Sequence, residues 1–309
     1  AHALGWPWFE SAVTQAGLFF RYLALWLFPH TGAMSFDWRI DFASQWPPAI
    51  AALAVIGFAG YGLLGARLIA RGGTAGVAGF GMLFPWILFC TELVTVRFQE
   101  PFVLYRSYLW APGLMVLLAL ALARLPARAA AVFALFALPL LFCQAHDRLQ
   151  TFASGIALWE DAVAKHPRQA IPGGSRALYY LSREYLSAGR PEQAAKIAER
   201  CLEDYPATYD CHYGRAEVHL RRREVSEALP HLAHAVALRP ERGVARHKLG
   251  LALEYLGCFE EAKEQYRLAI KLRVLDAPQS LRRLESPGGG AQWPVKPRPT
   301  TEFCSRASP

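Results

Sequence analysis

Asparagine is absent from all 309 residues, and lysine is absent from residues 1–153. The first absence removes every N-x-S/T glycan acceptor. The second falls in a stretch with only nine Arg and six acids, and so leaves long runs without any charge. C-x-x-C, a Gly-rich phosphate loop and G-x-S-x-G are missing too, which removes the usual thiol-redox, nucleotide-binding and serine-hydrolase signatures. A content of 53% hydrophobic residues excludes a disordered chain. The formal charge of +8 divides as +3, +3 and +2 over residues 1–153, 154–285 and 286–309. No segment then holds the concentrated basic footprint that nucleic acid requires.

Charge density separates two unlike halves: 15 charged residues in 1–153 against 39 in 154–285, with four more in the last 24. The chain opens at Ala1 without Met, inside a Trp-rich apolar stretch lacking the basic n-region and cleavage site of a signal peptide. We therefore expect further sequence upstream.

Pro48 to Ala66 carries no charge over 19 residues, enough at about 1.5 Å per residue to cross a hydrocarbon core of about 30 Å. The pattern predicts four spans at about 48–69, 74–96, 102–123 and 129–145. Two short loops, with Arg67 and Arg71 and then Arg124 and Arg128, hold no acid and are expected in the cytoplasm. Alternation then puts the loop 97–107 and everything after residue 146 on the opposite side. Residues 9–28 are also apolar, but Glu10, Gln15 and Arg21 interrupt them. An Arg at mid-membrane costs about 3 kcal/mol on insertion scales, so this segment is predicted to lie in the interface.

From Ser175 the chain repeats every 34 residues. Ala194, Ala228 and Ala262 keep that spacing, as do Pro206 and Pro240, while Leu181 with Leu249 and Gly189 with Gly257 occupy equivalent sites. This spacing resembles the tetratricopeptide repeat (TPR), whose small residues let paired helices approach closely. Repeats are predicted from 175, 209 and 243, the second departing most because Arg215-Ala216 stands where Leu-Gly is usual. Residues 154–167 are expected to cap the array, giving a domain over 154–285, and the aperiodic residues 286–309 to form a disordered tail. The fold class is thus all-α, a polytopic transmembrane helix bundle followed by a TPR α-solenoid.

Candidate chemistry is sparse. Gln99, Glu100, Arg106 and Tyr108, with Asp37, Arg39 and Asp41, are predicted on one membrane face. A guanidinium held by a carboxylate beside a phenol suits a lipid-linked phosphate; the alternative is that these residues end helices and reach for headgroups. Tyr179, Tyr180, Tyr185, His212, His219, Arg246 and Tyr255 fall on first helices, whose groove is the expected partner-binding surface. His231 and His234 share a helix face, but no third ligand is placed beside them in sequence, and no metal site is expected. Cys201 and Cys211 flank a turn, where an oxidising compartment would permit a disulfide; Cys201 fits its small-residue site equally well as a free thiol.

The segments TQAGLFFRYLALWLFP (14–29), SFDWRID (35–41), EPFVLYRSYLWAPGL (100–114) and LWEDAVAKHP (158–167) together resemble large bacterial proteins. These join a protein O-mannosyltransferase-like, GT-C type glycosyltransferase to C-terminal TPRs. The family's His-Arg-x-Tyr-Leu-Pro is represented here by Tyr105 to Trp110. The resemblance implies transfer of a sugar from a polyprenyl-phosphate donor to an extracytoplasmic acceptor, with Glu100, Arg106 and Tyr108 at the donor phosphate and no cofactor within these residues. It implies a multi-pass protein of the bacterial inner membrane, with its repeats in the periplasm binding the acceptor or another protein. The family's catalytic Asp lies in a first extracytoplasmic loop that these residues lack, so the chain alone is expected to be inactive. The alternative is a non-catalytic membrane-anchored TPR scaffold for envelope or pilus assembly.

Overall fold

The computed structural model describes residues 7–35, 46–94, 104–165, 173–286 and Cys304. Thirteen α-helices and no strand occur among the described residues. The chain divides into two compact units, 1–173 and 174–309.

The first unit contains α1 (Pro7–Leu27), α2 (Pro48–Arg71), α3 (Gly73–Leu93), a 3₁₀ turn (Leu104–Trp110), α4 (Ala111–Leu122), α5 (Ala127–Thr151) and α6 (Gly155–Ala164). Three of these helices, α2, α3 and α5, are long and apolar enough to cross a membrane. Helix α4 has only 12 residues. With the preceding 3₁₀ turn, which rises about 2.0 Å per residue, its length comes to about 32 Å, so turn and helix together match a bilayer core.

Glycine sets the spacing of these helices. A Cβ on Gly79 would lie 2.6 Å from the Gly65 carbonyl oxygen, and one on Gly81 would lie 2.9 Å from the oxygen of Gly113. Backbones of α2 and α3, and of α3 and α4, therefore meet directly, the small-residue packing that joins helices in lipid. Helix α5, by contrast, has no buried residue.

Helix α1, expected in the interface, is a packed member of the bundle. Phe19 is fully buried, with the rings of Phe20, Phe58, Tyr61, Phe89 and Trp110 at centroid distances of 5.1 to 5.5 Å. The aromatic face decides the packing of α1, which is not among the helices long and apolar enough to cross a membrane. Helix α6, expected to cap the repeats, groups with the first unit. Ser154 caps its first turn by accepting from the Ala157 N–H. Asp161 pairs with Arg148 on α5 at 3.0 Å and with Lys165, whose Nζ also donates to the Met34 carbonyl at 2.8 Å.

The second unit is a run of helix hairpins: α7 (Ser175–Ser187) with α8 (Pro191–Asp204), α9 (Tyr209–Arg221) with α10 (Val225–Leu238), and α11 (Gly243–Tyr255) with α12 (Phe259–Lys271), closed by α13 (Ala277–Glu285). Ala194, Ala228 and Ala262 are fully buried where paired helices touch, and a Cβ on Gly250 would strike the Tyr266 ring at 2.6 Å. These contacts are the physical content of the 34-residue register. Two disulfides tie the unit, Cys201–Cys211 and Cys258–Cys304. The second anchors Cys304, within the expected tail; residues 287–303 and 305–309 lie outside the described residues.

Each first helix ends in the same cap. The N–H groups of Arg190, Glu224 and Cys258 donate to the carbonyls of Tyr185, His219 and Leu253, five residues back, after a residue at positive φ. That residue is Gly189 or Gly257 in two repeats and Arg223, at φ 65°, in the other. Arg223→Gly should therefore stabilise the protein by about 0.5–1 kcal/mol, visible as a raised denaturant midpoint at unchanged slope; a loss of stability would show that the Arg223 side chain contributes more than its backbone costs.

Candidate functional site

Two places could carry function. In the first unit, the turn Leu104–Trp110 supplies the Arg106–Tyr108 motif. Ser107 and Trp110, three apart and so on one face of a 3₁₀ turn, are both buried. Trp110 packs its ring on Phe19, Tyr22 and Phe89, and Ser107 Oγ accepts from Trp26 Nε1 at 3.1 Å. Tyr108, on the other face, is 62% exposed. Arg106 lies in the same turn; Glu100, Gln99, Asp37, Arg39 and Asp41 lie outside the described residues. Between α1 and α2 opens an apolar cleft of about 470 Å³, lined by Gly17, Phe20, Trp46, Ile50, Leu53, Ala54 and Gly57.

In the second unit, the first helices meet along a face built from Tyr179, Tyr213, Glu217 and Lys248. Tyr179 of α7 and Tyr213 of α9 lie 6.1 Å apart, and Tyr179 Oη donates to Glu217 at 3.5 Å. Lys248 of α11 pairs with Glu217 at 3.0 Å and stands 5.8 Å above the Tyr213 ring. Cations lie over the neighbouring rings as well: Arg183 over Tyr180 at 5.1 Å, and Arg239 and Arg242 over Tyr209 at 6.0 and 5.9 Å. Burial and the Glu217 charge raise the Tyr179 and Tyr213 phenols, while burial pushes Tyr209 up to about 12. These hydroxyls stay protonated donors at any ordinary pH. The face thus offers the half-buried Tyr179 ring and several cations around one carboxylate, laid over the buried Tyr213 ring.

No family model matches the chain. One solved structure similar to it is the first TPR of Spaghetti (RPAP3) bound to HSP90 peptide SRMEEVD, at 23% identity over 36% of this chain and 91% of that one, with a TM-score of 0.34.

Of the seven residues expected in the groove, Tyr179 is on this face and Tyr180 is beside it, 5.2 Å from the Tyr179 ring. Tyr185 is buried. His212 and His219 turn towards α10, where they meet His231 at ring distances of 5.5 and 5.7 Å. Arg246 donates to the Pro240 carbonyl and to Gln265 on α12. Tyr255 is 37% exposed at the end of α11. The reason is helical phase: a first helix shows one stripe to its own second helix and another to the neighbouring first helix. Steps of 34 residues separate the stripes, since Tyr179 leads to Tyr213 and His247, while His212 leads to Arg246. That register is the signal through which Tyr213, Glu217 and Lys248 could have been found.

The structure also places His212 and His219 beside His231 and His234, which in sequence had no companion. Burial, followed by the neighbouring His212, His219, Arg215 and His234, pushes His231 down to about 4, so its ring is neutral at physiological pH. Elsewhere, Cys258, Cys304 and Glu261 cluster within 4.8 Å, but both sulfurs are committed to the disulfide.

Proposed function

We propose that this chain is the C-terminal part of an integral-membrane GT-C type glycosyltransferase. In this reading a sugar moves from a polyprenyl-phosphate donor to an extracytoplasmic acceptor, and the TPR face of Tyr179, Tyr213, Glu217 and Lys248 holds the acceptor or a partner protein. The observation that carries the reading is the seating of the Leu104–Trp110 turn. Ser107 and Trp110 fix it in the aromatic core and leave Tyr108 exposed. Trp110 stands where the family motif has Pro, and its ring contacts give the turn rigidity by another route. An Arg on such a turn can grip a phosphate bidentately, and the apolar cleft between α1 and α2 suits part of an isoprenoid chain.

Location follows from charge and redox chemistry. Acid-free arginine pairs at the helix ends 67–71 and 124–128 favour the cytoplasm, and two disulfides in the repeats favour an oxidising periplasm. Both are met if the 3₁₀ turn and α4 cross the inner membrane together, which places Arg106 and the repeats on the same outer face. None of these residues is proposed as the catalytic base.

The test is binding of a polyprenyl phosphate to the full chain in nanodiscs. Arg106→Ala should weaken it at least tenfold while the helical signal is unchanged. Equal affinity in the variant would remove the phosphate role. No binding by either protein would favour a non-catalytic membrane-anchored scaffold.

A further inference from the structure

The second repeat lacks the Leu-Gly pair that fits one helix to the other in the third, and it carries four histidines between its helices instead. His212 and His219 lie on α9, His231 and His234 on α10. Their rings form a chain: His234 to His212 at 5.0 Å, His212 to His231 at 5.5 Å, His231 to His219 at 5.7 Å.

The hydrogen bonds fix most of the protons. A backbone carbonyl can only accept, so His212 Nε2, 2.9 Å from the Pro206 oxygen, carries a hydrogen, as does His234 Nδ1, 2.9 Å from the Pro230 oxygen. His219 Nδ1 donates in the same way to the Glu224 carboxylate at 2.8 Å. In the neutral rings the opposite nitrogens, His212 Nδ1, His234 Nε2 and His219 Nε2, are bare lone pairs. A carbonyl or carboxylate holding one imidazole N–H while the other nitrogen stays bare is the outer-shell arrangement of metal-binding histidines.

One of those lone pairs meets a second ring nitrogen. His231 Nδ1 donates its hydrogen to His212 Nδ1 across 3.3 Å; a metal ion would take the place of that hydrogen, which moves to His231 Nε2. Two imidazole nitrogens sharing a tetrahedral zinc ion at about 2.0–2.1 Å stand about 3.3–3.4 Å apart. The hydrogen-bonded pair between α9 and α10 thus already has the separation of two ligands on one coordination tetrahedron. Arg215, the nearby cation, is directed elsewhere, its Nη1 donating to the Ala195 carbonyl.

We propose that His212 and His231 form a transition-metal site that joins α9 to α10 within the second repeat. Imidazole donors suit zinc, copper or nickel rather than magnesium or calcium. Water completes the coordination sphere, and the rings of His219 and His234 stand beside the pair. The metal would hold the hairpin that departs most from the repeat pattern, and so set the geometry of the neighbouring Tyr213–Glu217 face.

The experiment is calorimetric titration of the tag-free full chain, in detergent and without reductant, with zinc chloride alone. One equivalent of Zn2+ should bind saturably. His212→Gln and His231→Gln should each weaken binding at least tenfold, while His146→Gln, on an exposed turn of α5, should leave it unchanged. A second measurement needs no variant: Zn2+ should protect His212 and His231 of the native chain from diethyl pyrocarbonate. Absence of saturable binding, binding that survives both substitutions, or modification unaffected by Zn2+ would each overturn the site.

Discussion

Phe19→Ala should destabilise the membrane bundle by about 3–5 kcal/mol, the usual cost of emptying a large aromatic site in a packed core. Phe19 is fully buried and five rings close around it. Between helices in lipid there is no water to exclude, so the loss is one of direct packing, and few substitutions in this unit remove more of it. Trp110 would lose a neighbour, and the turn bearing Arg106 and Tyr108 would lose rigidity with it. Thermal unfolding in detergent reads the stability. If the midpoint is unchanged while the helices stay intact, the aromatic cluster is not the hub that its geometry describes.

Removing the Cys258–Cys304 disulfide should cost about 4 kcal/mol, and removing Cys201–Cys211 about 3 kcal/mol. Both figures follow from the loop-closure entropy that a bridge removes from the unfolded chain, with closures of 46 and 10 residues. Cys258→Ser with Cys304→Ser, and Cys201→Ser with Cys211→Ser, should lower the denaturation midpoint of the repeats in that order. Equal stability with and without reductant would mean that neither bridge constrains the unfolded chain.

The repeat register was legible because it is a spacing. Ala194, Ala228 and Ala262 recur at the points where helices touch, and a buried small residue leaves the same mark in sequence as in structure. Helix phase was less legible: a place on a first helix says nothing of which stripe a residue occupies. Tyr185, His212, His219 and Arg246 share first helices with Tyr179 and Tyr213 but pack within the unit or against second helices. The four-histidine chain joins residues of two helices, and only the folded hairpin brings them together. The Cys258–Cys304 bridge spans 46 residues with no local signal. For α1, Arg21 speaks only to membrane depth, whereas Phe19 and Tyr22 decide what the helix packs against, and their ring partners lie on other elements.

That the turn Leu104–Trp110 and the repeats share the outer face of the membrane is central to the proposed function, and it depends on α4 crossing. If only the three longer helices span, the two end on opposite sides. Cysteines introduced singly at Tyr108, Arg124 and Glu192, with Cys90 and Cys143 replaced by Ser and both bridges intact, report this on intact cells through a membrane-impermeant maleimide. Labelling at 108 and 192 but not at 124 is the predicted result; labels at 108 and 192 on opposite faces would contradict it.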